Sequence, residues 1–399
     1  MSSLNILIVH NYYQNPGGED SVVANEKRLL ESCGNKVVLY TRDNSEISNC
    51  KAIKKALFAF QSIYNPKTFF EILKIIDKEK IDIIHVHNTL ALISPSVYYA
   101  AVLKKIPVIQ TIHNFRLICP GAYLYHHGEI CEECIIGGFK CAVNHRCYHN
   151  SRLHTSINAL GIKIHRLTGI YRKINYIFPT EFDKRKFLEA NNRLSHPVFD
   201  TSSMYVKPHF TYNEMVDYDV SVEERGYYLY LGRLDEMKGI EHLVNAFAEM
   251  PDAILFLGGS GGEIYKQYVK EHDLRNVHFL GQLNPRQVKT YLRYARALIF
   301  PSIWYETFGM TIIEAYSQGI PVICSDIGNG AELVKEKITG VHYHFNREDS
   351  LVSTIRAFEA ENRDYSQETF REYREKYTPE VNYKLLYGIY IDVIKKNKH

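Results

Sequence analysis

The chain has 399 residues, 45% of them hydrophobic, enough to bury the cores of two ordinary domains. No apolar run reaches the roughly eighteen residues that a membrane-spanning helix needs, so that class is excluded at the level of sequence. Net charge is only +3, but residues 1–208 carry +9 and residues 209–399 carry −6, so the two halves are expected to meet different partners.

The first apolar strand, LNILIVH, runs into the glycine-rich loop NPGGED and a helical pattern over residues 21–32. Its apolar run is short, lacks a basic leader and ends in a polar loop. It does not read as a signal peptide, and a cytoplasmic protein, soluble or peripheral on the inner face of the plasma membrane, is expected. Buried-strand runs KVVLY, IDIIHVH, IPVIQTIH and INYIFP follow, mostly separated by helical stretches. That alternation predicts a parallel sheet covered by helices on both faces. An irregular insert over residues 115–151 interrupts it. Residues 205–213, YVKPHFTYN, carry the proline and polar residues of a linker. The pattern then restarts with five strands, YYLYLG, AILFLGG, NVHFLG, ALIFPS and PVICSD. The predicted architecture is α/β: two Rossmann-like, doubly wound domains, 1–208 and 209–378, facing an interdomain cleft. A last helix over 379–399 is free to join either.

In open α/β sheets ligands bind beyond the carboxyl ends of the strands. Gly232, Arg233 and Lys238 stand there, in YLYLGRLDEMKGI. A guanidinium fork and an ammonium suit a diphosphate. A second glycine turn, residues 257–263, ends the next strand. In ALIFPSIWYETFGMTIIEAYSQG a helix is expected to begin at residues 308–310, with its free N–H groups aimed at phosphate. Glu306 precedes that helix and Glu314 lies within its first two turns. Carboxylates accept hydrogen bonds from hydroxyls, so one acid suits a transferred sugar and the other a ribose.

Together, GRLDEMKG, the glutamate pair in ETFGMTIIEA and SQGIPVICSD resemble retaining glycosyltransferases of family 4, with the GT-B fold and of the bacterial surface-polysaccharide type. The PGG loop, DIIHVHN and TIHN of the first half agree, so the resemblance spans almost the whole chain. It implies that Arg233 and Lys238 hold the donor diphosphate, Glu314 the ribose and Glu306 a sugar hydroxyl. It also implies that Gly309, Met310 and Thr311 touch phosphate or sugar through backbone N–H groups. Phe279 and Leu280 would lie against the base, and Gly17 and Gly18 would close over the donor. His113 would sit near the reacting centre and hydrogen-bond the donor sugar. The implied reaction retains anomeric configuration, the leaving diphosphate helping to deprotonate the acceptor. A UDP-sugar is favoured as donor, with a GDP-sugar as alternative.

No metal is required for catalysis on this reading, since cationic side chains serve the diphosphate. The acidic pair Asp217 and Asp219 reads as a solvated turn. His85 and His87 are expected on opposite sides of their strand, with His87 nearer the cleft. The insert holds Cys119, Cys131, Cys134, Cys141 and Cys147. A structural zinc on Cys119, Cys131, Cys134 and Cys147 is expected, with His126, His127, His145 or Cys141 as substitutes; free thiols and redox chemistry are the alternatives. Residues 51–64 and 161–173 mix basic and apolar positions at helical spacing, as do helices that rest on an anionic membrane. A lipid-linked acceptor follows from this. Competing classes are a nucleotide-sugar epimerase or phosphorylase of similar plan, and a non-catalytic sugar-nucleotide-binding subunit. The basic residues are dispersed and no recognition helix is present, so nucleic acid is not expected as a partner.

Overall fold

A computed structural model of the chain describes residues 3–14, 17–48, 58–212, 225–347 and 349–397. It divides into two compact units: Met1–His126 with Cys131–His209 and Asn382–His399, and Phe210–Val381 with His127–Ile130.

The first unit is built on six parallel strands: β1 (Asn5–Tyr12), β2 (Lys36–Asp43), β3 (Ile83–Val86), β4 (Val108–Thr111), β5 (Asn175–Phe178) and β6 (Met204–Val206). Their order is β2-β1-β3-β4-β5-β6. β3 and β4 are buried along their full length, as apolar runs without alternation require in a sheet covered on both faces. The helix Pro379–Lys396 belongs mostly to this unit. Its Leu386, Tyr387, Tyr390 and Val393, at helical spacing, pack on Ile6, Ile8, Ile83, Ile109 and Ile177. Each such aliphatic side chain contributes about 1.5–3 kcal/mol when fully buried.

The second unit repeats the plan with β7 (Tyr227–Leu231), β8 (Leu255–Gly258), β9 (Val277–Gly281), β10 (Ala295–Phe300), β11 (Val322–Ser325) and β12 (Gly340–Tyr343). The order is β9-β8-β7-β10-β11-β12, all parallel. Strand order reverses between β7 and β10, and a doubly wound sheet opens its crevice at such a point.

Three expectations need correction. The segment read as a linker from residue 205 forms part of β6 and then buries Lys207, His209 and Phe210. Each sheet has six strands where five were expected, because β6 and β12 are short and follow polar sequence. His85 and His87 share one side: their ring centroids are 4.3 Å apart. The side-chain period of a strand is two, so residues i and i+2 point the same way.

Candidate active site

At the end of β7 the chain turns through Gly232, whose φ of +151° is closed to most side chains. Its carbonyl would lie 1.7 Å from a Cβ on Gly259, so the loops after β7 and β8 touch backbone to backbone. The Tyr230 hydroxyl donates to the Arg233 carbonyl at 2.6 Å. The Asp235 carboxylate accepts from Lys238 N–H at 3.3 Å and caps a short 3₁₀ turn, Glu236–Lys238. Gly239 (φ +71°) ends that turn, where a Cβ would meet the Pro301 carbonyl oxygen at 2.1 Å. The turn therefore rests on the loop that follows β10. Ile303 N–H donates to the Met237 carbonyl at 3.0 Å, and Ser325 Oγ–H to the Ser302 carbonyl at 2.6 Å, fixing that loop on both sides.

This framework joins Lys238 to Glu306. The ammonium forms an ion pair with Glu306 Oε1, both side chains being largely buried. Ser302 Oγ–H and Trp304 Nε1–H donate to the same oxygen at 2.7 and 3.1 Å. Lys238 Nζ also lies 5.4 Å from the Trp304 ring centroid. The Asn329 amide donates to the Glu306 carbonyl. Three donors thus meet on Oε1, and Oε2 takes none of these bonds.

The other expected donor-site residues surround this pair along the chain. Arg233 is 54% exposed, with its guanidinium 3.4 Å from Asp235. Gly309 precedes the helix Met310–Ser317. The first N–H groups of a helix have no carbonyl one turn earlier, so those of Met310 and Thr311 suit an anion. Glu314 stands in the second turn, partly buried. Desolvation pushes its carboxyl up to about 7, against the opposing charge of Lys289. Phe279 and Leu280 are successive residues of β9, and they pack against opposite cores. A base at that strand end would meet the backbone of both and the side chain of one.

In the first unit Gly17 N–H donates to Asp20 Oδ2 at 2.8 Å at the start of the helix Gly18–Ser32. Asp20 Oδ1 also binds His10 Nε2 at 2.8 Å. Glu19 beside it has a carboxyl held well above the usual range by burial and by Asp20. His113 belongs to a buried network. Its Nε2 lies 2.9 Å from His87 Nδ1, and its ring stacks on His209 at 5.2 Å. Below them Glu26, fully buried, takes the Lys207 ammonium at 2.8 Å and stands 3.5 and 3.4 Å from His85 and His87. Burial is the main cause that lowers His85 to about 4 and holds His87, His113 and His209 well below the ordinary range. The rings are therefore neutral near pH 7. Lys207 is the main group that holds Glu26 below its ordinary value against desolvation.

Sequence reasoning passed over Ser302, Trp304 and Asn329. Trp304 is the sole tryptophan and stands two residues before Glu306, a signal that was there to be read. Lys207 and His209 carried no such signal, because KPH reads as linker. Asp217 and Asp219 lie outside the described residues.

Two parallel-sheet α/β units, with a cation–carboxylate pair and a helix N-terminus at one strand-order switch, define a GT-B-type glycosyltransferase. The family comparisons agree. The model described as Glycosyltransferase Family 4 matches residues 16–130, and that described as Glycosyl transferases group 1 matches residues 217–377. Between them the two glycosyltransferase models match most of the chain. It is similar to an uncharacterized 41.2 kDa protein in the cps region of Klebsiella pneumoniae, 22% identical over 367 residues, 87% of this chain and 85% of that protein. It is also similar to the UDP-Gal:alpha-D-GlcNAc-diphosphoundecaprenol alpha-1,3-galactosyltransferase of Escherichia coli, 23% identical over 309 residues, 73% of this chain and 70% of that protein. Sucrose-phosphate synthase from Thermosynechococcus elongatus shares the fold, with a TM-score of 0.70 at 17% identity over 98% of this chain and 100% of that one.

Proposed function

We propose that the protein moves a sugar from a nucleoside-diphosphate sugar, a UDP-sugar by preference, to a lipid-linked glycan in surface-polysaccharide assembly, with retention of configuration. The observation that carries this reading is the Glu306 carboxylate, fixed through Oε1 with Oε2 left for a sugar hydroxyl. Lys238, Arg233 and the N–H groups at Gly309, Met310 and Thr311 take the diphosphate, and Glu314 takes the ribose. Gly17, Gly18 and His113 keep the donor-side roles that the family resemblance gives them.

The acceptor oxygen bonds to the anomeric carbon while the bond from that carbon to the diphosphate oxygen breaks. The acceptor proton passes to the departing diphosphate on the same face. Charge grows on the leaving group, and the preorganised cations and N–H groups stabilise it without reorganising. Removing one such donor costs about 3–4 kcal/mol of barrier. Donor choice rests on the UDP-sugar named for the Escherichia coli relative. Thermal stabilisation of the full chain by UDP, GDP and their sugars tests it, since a ligand of the folded state raises its stability. Donor consumption with no product on any acceptor would favour an epimerase instead.

Membrane contact rests on a separate feature. Among the described residues no helix is long and apolar enough to cross a membrane. The helix Arg152–Leu167, however, exposes Leu153, Leu160, Ile164 and Leu167, the last 88% accessible. These positions fall on one helical stripe, with Lys163 beside it. His165 Nε2 and the Ile63 carbonyl, 2.8 Å apart, tie this helix to residues 58–64, where Phe60 is 70% exposed. Residues 51–57 of the other expected amphipathic stretch lie outside the described residues, and the helix breaks at Gly169 before a 3₁₀ turn, Ile170–Lys173. An apolar stripe beside cations suits an anionic lipid surface. Vesicles containing phosphatidylglycerol should sediment the full chain at low salt and release it as salt rises. Leu160→Ser with Leu167→Ser should weaken this severalfold, and equal binding to neutral vesicles would contradict it.

A further inference from the structure

The four cysteines expected to hold zinc do not gather into one donor group. Among the described residues, the close groups within 119–147 are His126/His145/Cys147 and Cys131/Glu133/His145. The buried network beneath His113 carries an inference instead. We propose that Glu26 is a positioning residue, which through His87 fixes the nitrogen of His113 that bears the proton. Glu26 stands on the buried face of the helix Gly18–Ser32, with Val22, Val23, Leu29 and Leu30. Its side chain is wholly excluded from solvent. Oε1 accepts from the Lys207 ammonium at 2.8 Å, and Lys207 donates also to Asn382 Oδ1 at 3.0 Å. The Asn382 amide donates in turn to the Pro208 carbonyl at 2.7 Å, so the oxygen that meets Lys207 is assigned by its partners. A buried ammonium beside Oε1 keeps the carboxylate ionised, and an ionised carboxylate only accepts.

The polarity of the chain of rings follows from that fixed acceptor. Glu26 Oε2 faces His87 Nε2 at 3.4 Å, and neither buried atom makes a hydrogen bond to another group. A lone pair on Nε2 would oppose the carboxylate charge in a buried place, whereas an N–H there is attracted to it. His87 therefore carries its proton on Nε2, and its Nδ1 is a lone pair. That nitrogen lies 2.9 Å from His113 Nε2. The two ring planes differ by 27°, and the 5.2 Å between centroids exceeds the distance between the nitrogens by about one ring's width. Both nitrogens thus lie near the line between the ring centres, where an imidazole lone pair points. The donor in this bond is His113 Nε2–H, and Nδ1 is left as the acceptor nitrogen of His113. His85 does not compete for the carboxylate. Its Nδ1 stands 3.5 Å from Glu26 Oε2 but 2.6 Å from the Tyr390 hydroxyl, and its Nε2 is 2.7 Å from the Thr111 hydroxyl. On the donor-side role given to His113 above, on which this consequence rests, Nδ1 accepts from a sugar hydroxyl. A donor sugar that carries that hydroxyl is then preferred to its deoxy analogue.

The test uses the full chain with ¹⁵N-labelled histidine and reads the ring nitrogens by long-range proton–nitrogen NMR near pH 7. His87→Gln and His113→Gln assign the two rings by the signals they remove. Wild-type chain should show both rings neutral and protonated on Nε2. In Glu26→Gln the amide oxygen turns to Lys207, so the amide N–H groups face His87 Nε2, and both rings should move their proton to Nδ1. The same variant should bind UDP-sugars severalfold more weakly and UDP, which lacks the sugar, as before. Wild-type His113 protonated on Nδ1 overturns the proposal, and so do tautomers that Glu26→Gln leaves unchanged. Equal loss of UDP and UDP-sugar binding in Glu26→Gln marks a structural role and overturns it as well. Should Glu26→Gln fail to fold, the wild-type spectrum still decides the tautomers. That spectrum needs no sugar: wild-type chain that binds no UDP-sugar sinks the donor reading, and only the ring signals sink the assignment of the protons.

Discussion

Lys238, Ser302 and Trp304 share one acceptor, Oε1 of Glu306, so removing the carboxylate strands three donors together. We expect Glu306→Ala and Lys238→Ala to lower sugar transfer roughly a hundredfold or more, measured as initial rate at saturating donor. Circular dichroism should show both variants folded. Glu314 gives a pH signature. Its carboxyl, ordinarily at 4.5, is raised to about 7 by desolvation. The folded chain thus keeps a proton that the unfolded chain releases between those values, and this group's stabilisation is lost as pH rises through about 7. If ribose hydroxyls donate to this carboxylate, as proposed, UDP should bind more tightly as pH rises through the same point, and Glu314→Gln should flatten that dependence in calorimetric titration. The types of Glu306, Lys238 and Arg233, and their places at strand ends, were legible in the sequence. That Trp304 and Ser302 orient the acid was not, because their convergence depends on how two loops meet. The side shared by His85 and His87 was legible, and a strand period applied correctly gives it.

Among the elements, the loops after β7 and β10 hold the site because glycines let backbone meet backbone. At Gly239 and Gly259 a side chain would collide with the carbonyls of Pro301 and Gly232, and both positions have positive φ. We expect Gly239→Ala and Gly259→Ala to lower the melting temperature and to weaken UDP binding together. Gly388 is exposed within the helix Pro379–Lys396, with open space where a methyl group would stand, and should behave oppositely. Gly388→Ala should raise stability by about 0.5–1 kcal/mol in urea unfolding, from backbone entropy alone. Apolar runs alternating with helices made the two sheets readable. β6 and β12 escaped because they stand in polar sequence without the longer apolar run that marks the other short strands, and Pro208 beside β6 argued for a linker.

At the scale of the whole molecule, the first unit carries the net positive charge and a buried ionic network. His85, lowered from 6.5 to about 4, and Glu26, held below its ordinary value, act in the same direction. For the histidine, the unfolded chain binds the extra proton between those two values. Its stabilisation is complete above about 6.5 and is lost as pH falls toward about 4, where Glu26 begins to add its own loss. Acid unfolding followed by circular dichroism should therefore begin below about pH 6.5. Lys207→Met leaves Glu26 buried without its cation and should cost about 3–5 kcal/mol. None of this was legible in the sequence, since Glu26 and Lys207 stand 181 positions apart.

The most direct measurement is calorimetric binding of UDP and UDP-sugars to the full chain, its Lys238→Ala variant and its Glu306→Ala variant. The account predicts that Lys238→Ala weakens both ligands severalfold or more, while Glu306→Ala weakens the UDP-sugars and leaves UDP less affected. Undiminished binding of UDP-sugars by both variants would contradict it.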